Sequence, residues 1–170
     1  MSGPDGVLLT GVFGSGKSAV AVEIAEVLEE RGESYALLDL DHLGWYSAAD
    51  DDGHAVQRLL LRNLHDVARN YVEAGVHRFV LARAIRDDAD LAGVRAAVSF
   101  PVAVVRLTAP IAEIRRRLAT EVTAARQADL REAGDWLAAG VGVGIEDVTV
   151  PNVGPVRAVA EDVLRRVHWV

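Results

Sequence analysis

The chain has 170 residues, of which 51% are hydrophobic and 25% charged, a composition that suits one compact domain with a sizeable core and excludes a disordered chain. A net charge of −7 argues against general binding to nucleic acid or to an anionic membrane, both of which depend on clustered Lys and Arg. With 0 cysteines, disulfides, thiolate catalysis, zinc fingers and iron–sulfur clusters are excluded together. No basic leader opens the sequence and no run approaches the roughly 20 apolar residues that cross a bilayer, so a soluble, cytoplasmic protein is expected.

Val7-Leu8-Leu9-Thr10 is a short apolar run ending at Gly11, and Val20, Ile24, Val27 and Leu28 then recur at helical spacing until Gly32. Tyr35 to Asp41 reads as a buried strand with an acidic end. After a polar loop holding Asp50, Asp51 and Asp52, which reads as a solvated turn, Leu60, Leu64, Val67, Ala68 and Tyr71 mark a helix from about His54 to Ala74. Arg78 to Ala82 is a third strand, Asp87 to Val98 a short helix, Pro101 to Leu107 a fourth strand, and Pro110 suits the first turn of another helix. Between Thr120 and Gly144 the pattern is helical, rich in Arg and Ala, and ends in the glycine-rich Gly140-Val141-Gly142-Val143-Gly144. A short fifth strand, Asp147 to Val150, precedes a last helix striped by Val156, Val159, Ala160, Val163, Leu164 and Val167. Apolar strands alternating with helices indicate an α/β fold with a parallel sheet covered on both faces.

Gly11-Val12-Phe13-Gly14-Ser15-Gly16-Lys17-Ser18 matches G-x-x-x-x-G-K-[ST] and lies between a predicted strand and a predicted helix, the context in which that motif cradles phosphates. Gly11, Gly14 and Gly16 let the backbone take positive φ and turn N–H groups, including that of Ser15, toward an anion, and the helix N-terminus adds partial positive charge. Lys17 is expected on the β- and γ-phosphates of a nucleotide and Ser18 on magnesium. Lys17 is also the single lysine among 18 Lys and Arg residues, where a compact ammonium suits and a planar guanidinium does not. Asp39 and Asp41, two apart at the carboxyl end of a strand, place both carboxylates on one face beside this loop. One of the pair can serve the magnesium shell and the other orient or deprotonate a hydroxyl.

These residues resemble the P-loop small-molecule kinases, the group of adenylylsulfate, gluconate and shikimate kinases. The phosphate loop, Leu38-Asp39-Leu40-Asp41 and the helix from Arg62 to Gly75 carry the resemblance. It implies a three-layer P-loop NTPase fold with a five-stranded parallel sheet, flanking helices and a helical lid at about 119–145, in a single domain over residues 1–170. It further implies ATP and Mg2+ as cofactors, transfer of phosphate to a hydroxyl of a small-molecule metabolite, and Asp41 as the group facing that hydroxyl. Arg62 and Arg83 are then expected to hold the acceptor, Arg117 and Asn152 to flank the adenine, and Arg126 to act as a lid arginine. No nucleic-acid or membrane partner is expected, and the chain should be a monomer or homodimer. Adenylylsulfate kinases carry Arg three residues after the second Asp, where this chain has Gly44, so the resemblance implies the reaction class and leaves the acceptor open. A nucleoside monophosphate kinase, or a P-loop module that binds or hydrolyses nucleotide without an acceptor, are the alternatives. Trp45 and Tyr46 follow the paired aspartates and read as loop packing or as a stacking platform, whereas Trp136 and Trp169 read as packing. The five histidines lack metal-ligand spacing.

Overall fold

The computed structural model describes residues 3–46, 55–119 and 124–170, with backbone alone for 119 and 124–130. Five strands, β1 (Asp5–Thr10), β2 (Tyr35–Asp39), β3 (Arg78–Ala82), β4 (Val102–Thr108) and β5 (Val148–Pro151), form one sheet in the order β2-β3-β1-β4-β5. Every pairing is parallel. The helices are α1 (Lys17–Glu30), α2 (Ala55–Glu73), α3 (Asp88–Ala97), α4 (Ile111–Ala119), α5 (Ala124–Ala139) and α6 (Val156–Arg166). This is the three-layer α/β arrangement that the alternation of apolar strands and helices anticipates.

Strand alternation sends neighbouring residues to opposite layers. Val7, Leu9, Val80, Val105 and Leu107 pack with Val20, Ile24 and Leu28 of α1 and Val159, Val163 and Leu164 of α6. Leu8, Phe79, Leu81 and Val104 face the other way, onto Leu60 and Leu64 of α2 and Leu91 and Val94 of α3. A third, smaller cluster joins Val12 of the phosphate loop to Ile114 and Leu118 of α4 and Ala133 of α5. Trp169 is indeed a packing residue: its Nε1 donates to Asp5 Oδ2 at 3.1 Å and its ring lies 4.9 Å from the Arg78 guanidinium, at the end of the sheet opposite the phosphate loop.

Two boundaries differ from the sequence reading for a local reason. β1 begins at Asp5 because Asp5 N donates to His77 O at 3.0 Å and Arg78 grips the Asp5 carboxylate at 2.7 Å. β2 ends at Asp39, and Asp41 is not on the strand. The Asp39 side chain accepts from Asp41 N at 3.2 Å and caps a 3₁₀ turn over Leu40–Gly44. Gly140, at φ 64, ends α5 where the glycine run begins.

Candidate active site

In this strand order β1 lies between the two directions in which the chain winds, so the loop after Thr10 opens at the carboxyl edge where α/β sheets bind ligands. Gly11, Gly14 and Gly16 hold φ values of 136, 76 and 96. A Cβ at Gly11 would stand 2.5 Å from Leu107 O, and one at Gly16 would run into the Asn152 amide. The loop is therefore closely packed on its outer side and leaves its inner side for ligand. Gly16 caps α1 without any side-chain hydrogen bond, and the first turn of α1 carries no acid, so the helix's free N–H groups and partial positive charge face the loop's interior.

Lys17 Nζ bends back over this loop, donating to Gly11 O at 3.0 Å and Val12 O at 3.1 Å above the Phe13 ring. Ser18 Oγ donates to Asp39 Oδ2 at 2.9 Å. Both oxygens of Asp39 are thus engaged, one by Ser18 and one by Asp41 N. Asp41 is the opposite case: among the described residues its carboxylate accepts no hydrogen bond. It stays open to solvent on one side while protein crowds the others. That burial pushes its pKa above the ordinary 3.8, against the pull of Arg83 first and of Lys17 and His42 after it. A cleft of about 510 Å³ collects Gly14, Gly16, Lys17, Ser18, Asp39 and Asp41, with Phe13, His42, Arg117 and Leu118 along its walls.

A hydroxyl and a carboxylate 2.9 Å apart beside the phosphate loop are hard oxygen donors of the kind Mg2+ takes. Among the described residues no group of three or more His, Cys, Asp or Glu side chains would hold a metal by itself. A magnesium ion completed by water and substrate phosphate fits Ser18 and Asp39.

The other expected residues divide. Arg117, on the cleft wall, and the buried Asn152 both reach the loop's carbonyls: Asn152 Nδ2 donates to Ser15 O at 2.7 Å, and Arg117 donates to Gly14 O, Ser15 O and Asn152 O at 3.4, 3.2 and 2.9 Å. Glu113 holds Arg117 Nε at 2.8 Å and Arg116 at 2.7 Å, and these two guanidinium groups keep the Glu113 carboxyl at about 2. Arg83 does not line the cleft: it is nine-tenths buried, at 8% exposure, near enough for its charge to pull on Asp41. Arg62 does not reach the site. It lines a separate groove between α2 and α3 with Leu61, His65 and Gly93, because the face of α2 that meets the sheet is set by Leu60, Leu64 and Ala68. The Arg126 side chain and Asp50, Asp51 and Asp52 lie outside the described residues.

Several residues support the site in ways that the sequence did not reveal. Gln57 Oε1 accepts from Arg83 Nη2 at 2.6 Å. Asn63, adjacent to the misplaced Arg62, donates to Leu43 O at 2.7 Å and pins the 3₁₀ turn that carries Asp41. Thr10 Oγ1 accepts from Ile85 N at 3.0 Å and fixes the segment after β3. None has a local signature, since each bond spans 20 residues or more. Gly44, where the resembled kinases have Arg, is buried, and a Cβ there would stand 3.2 Å from Val56 Cγ1 and 3.3 Å from Leu60, which is tight for any longer side chain. Trp136 packs its ring 5.9 Å from Phe13 and ties α5 to the phosphate loop. Trp45 is 83% exposed, its ring stacked on His42 at 5.8 Å by the cleft.

A family model described as an AAA domain matches residues 7–143. The chain belongs to that family. No curated protein sequence matches it. Solved structures share its fold. An unliganded sugar kinase from Janibacter sp. HTCC2649 superposes with a TM-score of 0.68 at 19% identity, covering 98% of this chain and 95% of that one. The Mycobacterium tuberculosis APS kinase CysC, in complex with AMPPNP and APS, gives 0.68 at 23% identity over 99% of both chains. Shikimate kinase from Acinetobacter baumannii, in complex with shikimate, gives 0.59 at 18% identity over 99% of this chain and 94% of that one. The P-loop kinase fold implied by the sequence resemblance is the fold of this AAA-domain chain. Among the described residues no helix is long and apolar enough to cross a membrane.

Proposed function

We propose that this protein is an ATP- and magnesium-dependent kinase that phosphorylates a hydroxyl of a small molecule. The observation that carries this reading is the unequal state of the two aspartates. A P-loop module that only binds nucleotide uses a carboxylate like Asp39, tied to the magnesium serine at 2.9 Å. It has no use for a second carboxylate on the same cleft wall, one that accepts no hydrogen bond among the described residues.

The loop's N–H groups and Lys17 bind the β- and γ-phosphates of ATP, with Lys17 leaving the carbonyls of Gly11 and Val12 for the more favourable anion. Mg2+, when bound, neutralises charge on those phosphates, and Ser18 and Asp39 are the residues that hold it. Asp41 accepts the proton of the acceptor hydroxyl as its oxygen forms a bond to the γ-phosphorus and the bond from that phosphorus to the β,γ-bridging oxygen breaks. ADP and the phosphorylated acceptor leave, and the proton passes from Asp41 to solvent. The raised pKa of Asp41 suits this task, because a base closer to neutrality transfers protons with less mismatch. Arg117 and Asn152 serve as positioning residues: by drawing the carbonyls of Gly14 and Ser15 outward, they leave the loop's N–H groups facing inward.

The segment at about 119–145 acts as the lid over residues 1–170 taken as one kinase domain. Its packing of Trp136 on Phe13 links lid position to loop occupancy. A nucleoside monophosphate acceptor fits less well, since a phosphate dianion calls for several cations. On the acceptor side Arg86 is held by Asp90 at 3.2 Å and Arg62 lies in another groove.

The test is an acceptor panel scored by ATP consumption and by mass gain of one phosphoryl group, run on wild type and Lys17→Ala. Transfer that is lost in Lys17→Ala, with the thermal melt unchanged, supports the reading. ATP turnover independent of every acceptor overturns it in favour of a hydrolase.

A further inference from the structure

Among the described residues the Asp41 carboxylate accepts no hydrogen bond, so its place is set by the backbone beneath it. That backbone is one 3₁₀ turn, Leu40–Gly44, directly after β2. With three residues per turn, Leu40 and Leu43 share the face that joins Leu60 and Leu64 of α2, and Asp41 and His42 are sent out to the cleft wall. An element this short has poorer hydrogen-bond geometry than an α-helix and is marginal by itself. What grips it decides where Asp41 stands.

Two side chains among the described residues grip it, one at each end. Asp39 Oδ1 accepts from Asp41 N at 3.2 Å, and Asn63 Nδ2 donates to Leu43 O at 2.7 Å. The two holds are unequal. Asp39 shares its carboxylate with Ser18 at 2.9 Å, and this is the pair that fits magnesium, so its hold on the turn shifts with the demands of a metal shell. The hold from Asn63 is tied to the scaffold, because Asn63 stands on α2, whose Leu60, Leu64 and Ala68 are buried against the sheet. Leu43 O also lies where the turn stops: the chain leaves it at Trp45, with φ −80 and ψ 87, and the Asn63 amide supplies a donor that a continuing helix would have supplied.

We propose that Asn63 is the positioning residue for Asp41: by fixing Leu43 O to α2, it holds the turn, and with it the carboxylate that receives the acceptor's proton, in the geometry that transfer requires. This rests on the kinase reading above. A misplacement of about 1 Å at a reacting group costs on the order of a hundredfold in rate, so loosening this end of the turn acts on turnover and leaves nucleotide binding to the phosphate loop.

The experiment compares wild type with Asn63→Leu, which removes the donor at similar volume, and Asn63→Asp, which keeps the side chain's shape without a donor and stands in if Asn63→Leu fails to fold. Trp169→Phe is the stability control, since it loses the hydrogen bond to Asp5 at the opposite end of the sheet. Amide exchange of the unliganded proteins over residues 40–46 should be about fivefold or more faster in both Asn63 variants, with β2 and residues 11–18 unchanged. With the acceptor that wild type phosphorylates, kcat should fall by about tenfold or more in both, with the KM for ATP within about twofold of wild type. Trp169→Phe should lower the melting temperature at least as far as Asn63→Leu, because its lost bond is to a charged group, and keep its kcat. Unchanged exchange over 40–46, an unchanged kcat, a KM for ATP that rises as kcat falls, or the same loss of turnover in Trp169→Phe would each overturn the assignment. Failure of the kinase reading is distinct: wild type would then transfer to no acceptor, while exchange over 40–46 would still rise in the Asn63 variants.

Discussion

Gly16→Ala tests how the phosphate loop is held in shape. Gly16 sits at φ 96, where an L-residue costs about 1–2 kcal/mol. The new Cβ would also run into Asn152 Nδ2, the donor to Ser15 O. Asn152 is 98% buried, so pushing its amide aside breaks that bond without water to replace it, a further loss of about 1–3 kcal/mol. The sum, about 2–5 kcal/mol, lowers the melting temperature by roughly 4–20 °C in a chain of this length. Asn152→Ala alone should cost less, because Ser15 O keeps Arg117 Nη1 at 3.2 Å and the amide's Oδ1 has no donor to lose. The two changes should therefore couple. The double variant removes the obstruction but keeps the φ strain, so it should melt close to Gly16→Ala alone, with an interaction of about 1 kcal/mol or more. Differential scanning calorimetry on the four proteins reads the cycle. Strictly additive losses would refute the contact between Gly16 and the amide as the reason for glycine there, leaving backbone conformation alone.

Asp41→Asn should lower turnover by about a hundredfold or more with ATP affinity nearly unchanged, while Asp39→Asn should be partly rescued by raised magnesium; steady-state kinetics across magnesium concentrations separates them, and the reverse pattern would exchange the two roles. The raised pKa of Asp41 places the acid limb of the kcat profile above the usual carboxylate range, since activity is lost as pH falls through that pKa and protonates the base. The stability sign runs the other way. A raised folded pKa means the fold prefers neutral Asp41, so its contribution is lost as pH rises through that value, and Asp41→Asn should melt above wild type at pH 7. Hydrogen exchange over 131–144 should slow on adding ATP and magnesium if the lid closes, and exchange there unchanged by nucleotide would contradict the lid.

How much of this was legible in the sequence follows from how far each feature reaches along the chain. The phosphate loop is eight consecutive residues whose glycines answer to φ values and whose context is one strand and one helix, so residue types and spacing suffice. The sheet was legible for the same reason: Val, Leu and Ala runs punctuated by Gly32 and Gly75 carry their own boundaries. The 3₁₀ turn was not, because Leu38-Asp39-Leu40-Asp41 alternates like a strand; the Asp39 cap on Asp41 N and the hold of Asn63 on Leu43 O, 20 residues away, form only once the chain has turned. Arg62 against Arg83 shows the same limit at the site. Both are arginines at the carboxyl side of the fold, and nothing local distinguishes them. A helix rotates by about 100° per residue, so the choice of Leu60 and Leu64 as the buried face turns Arg62 toward α3. A strand that alternates leaves Arg83 on the inside once Leu81 is there. The burial that makes Arg83 chemically unusual is thus a product of sheet register and of α2 packing together. It arises only when Gln57 and Arg83, 26 residues apart, are folded against one another.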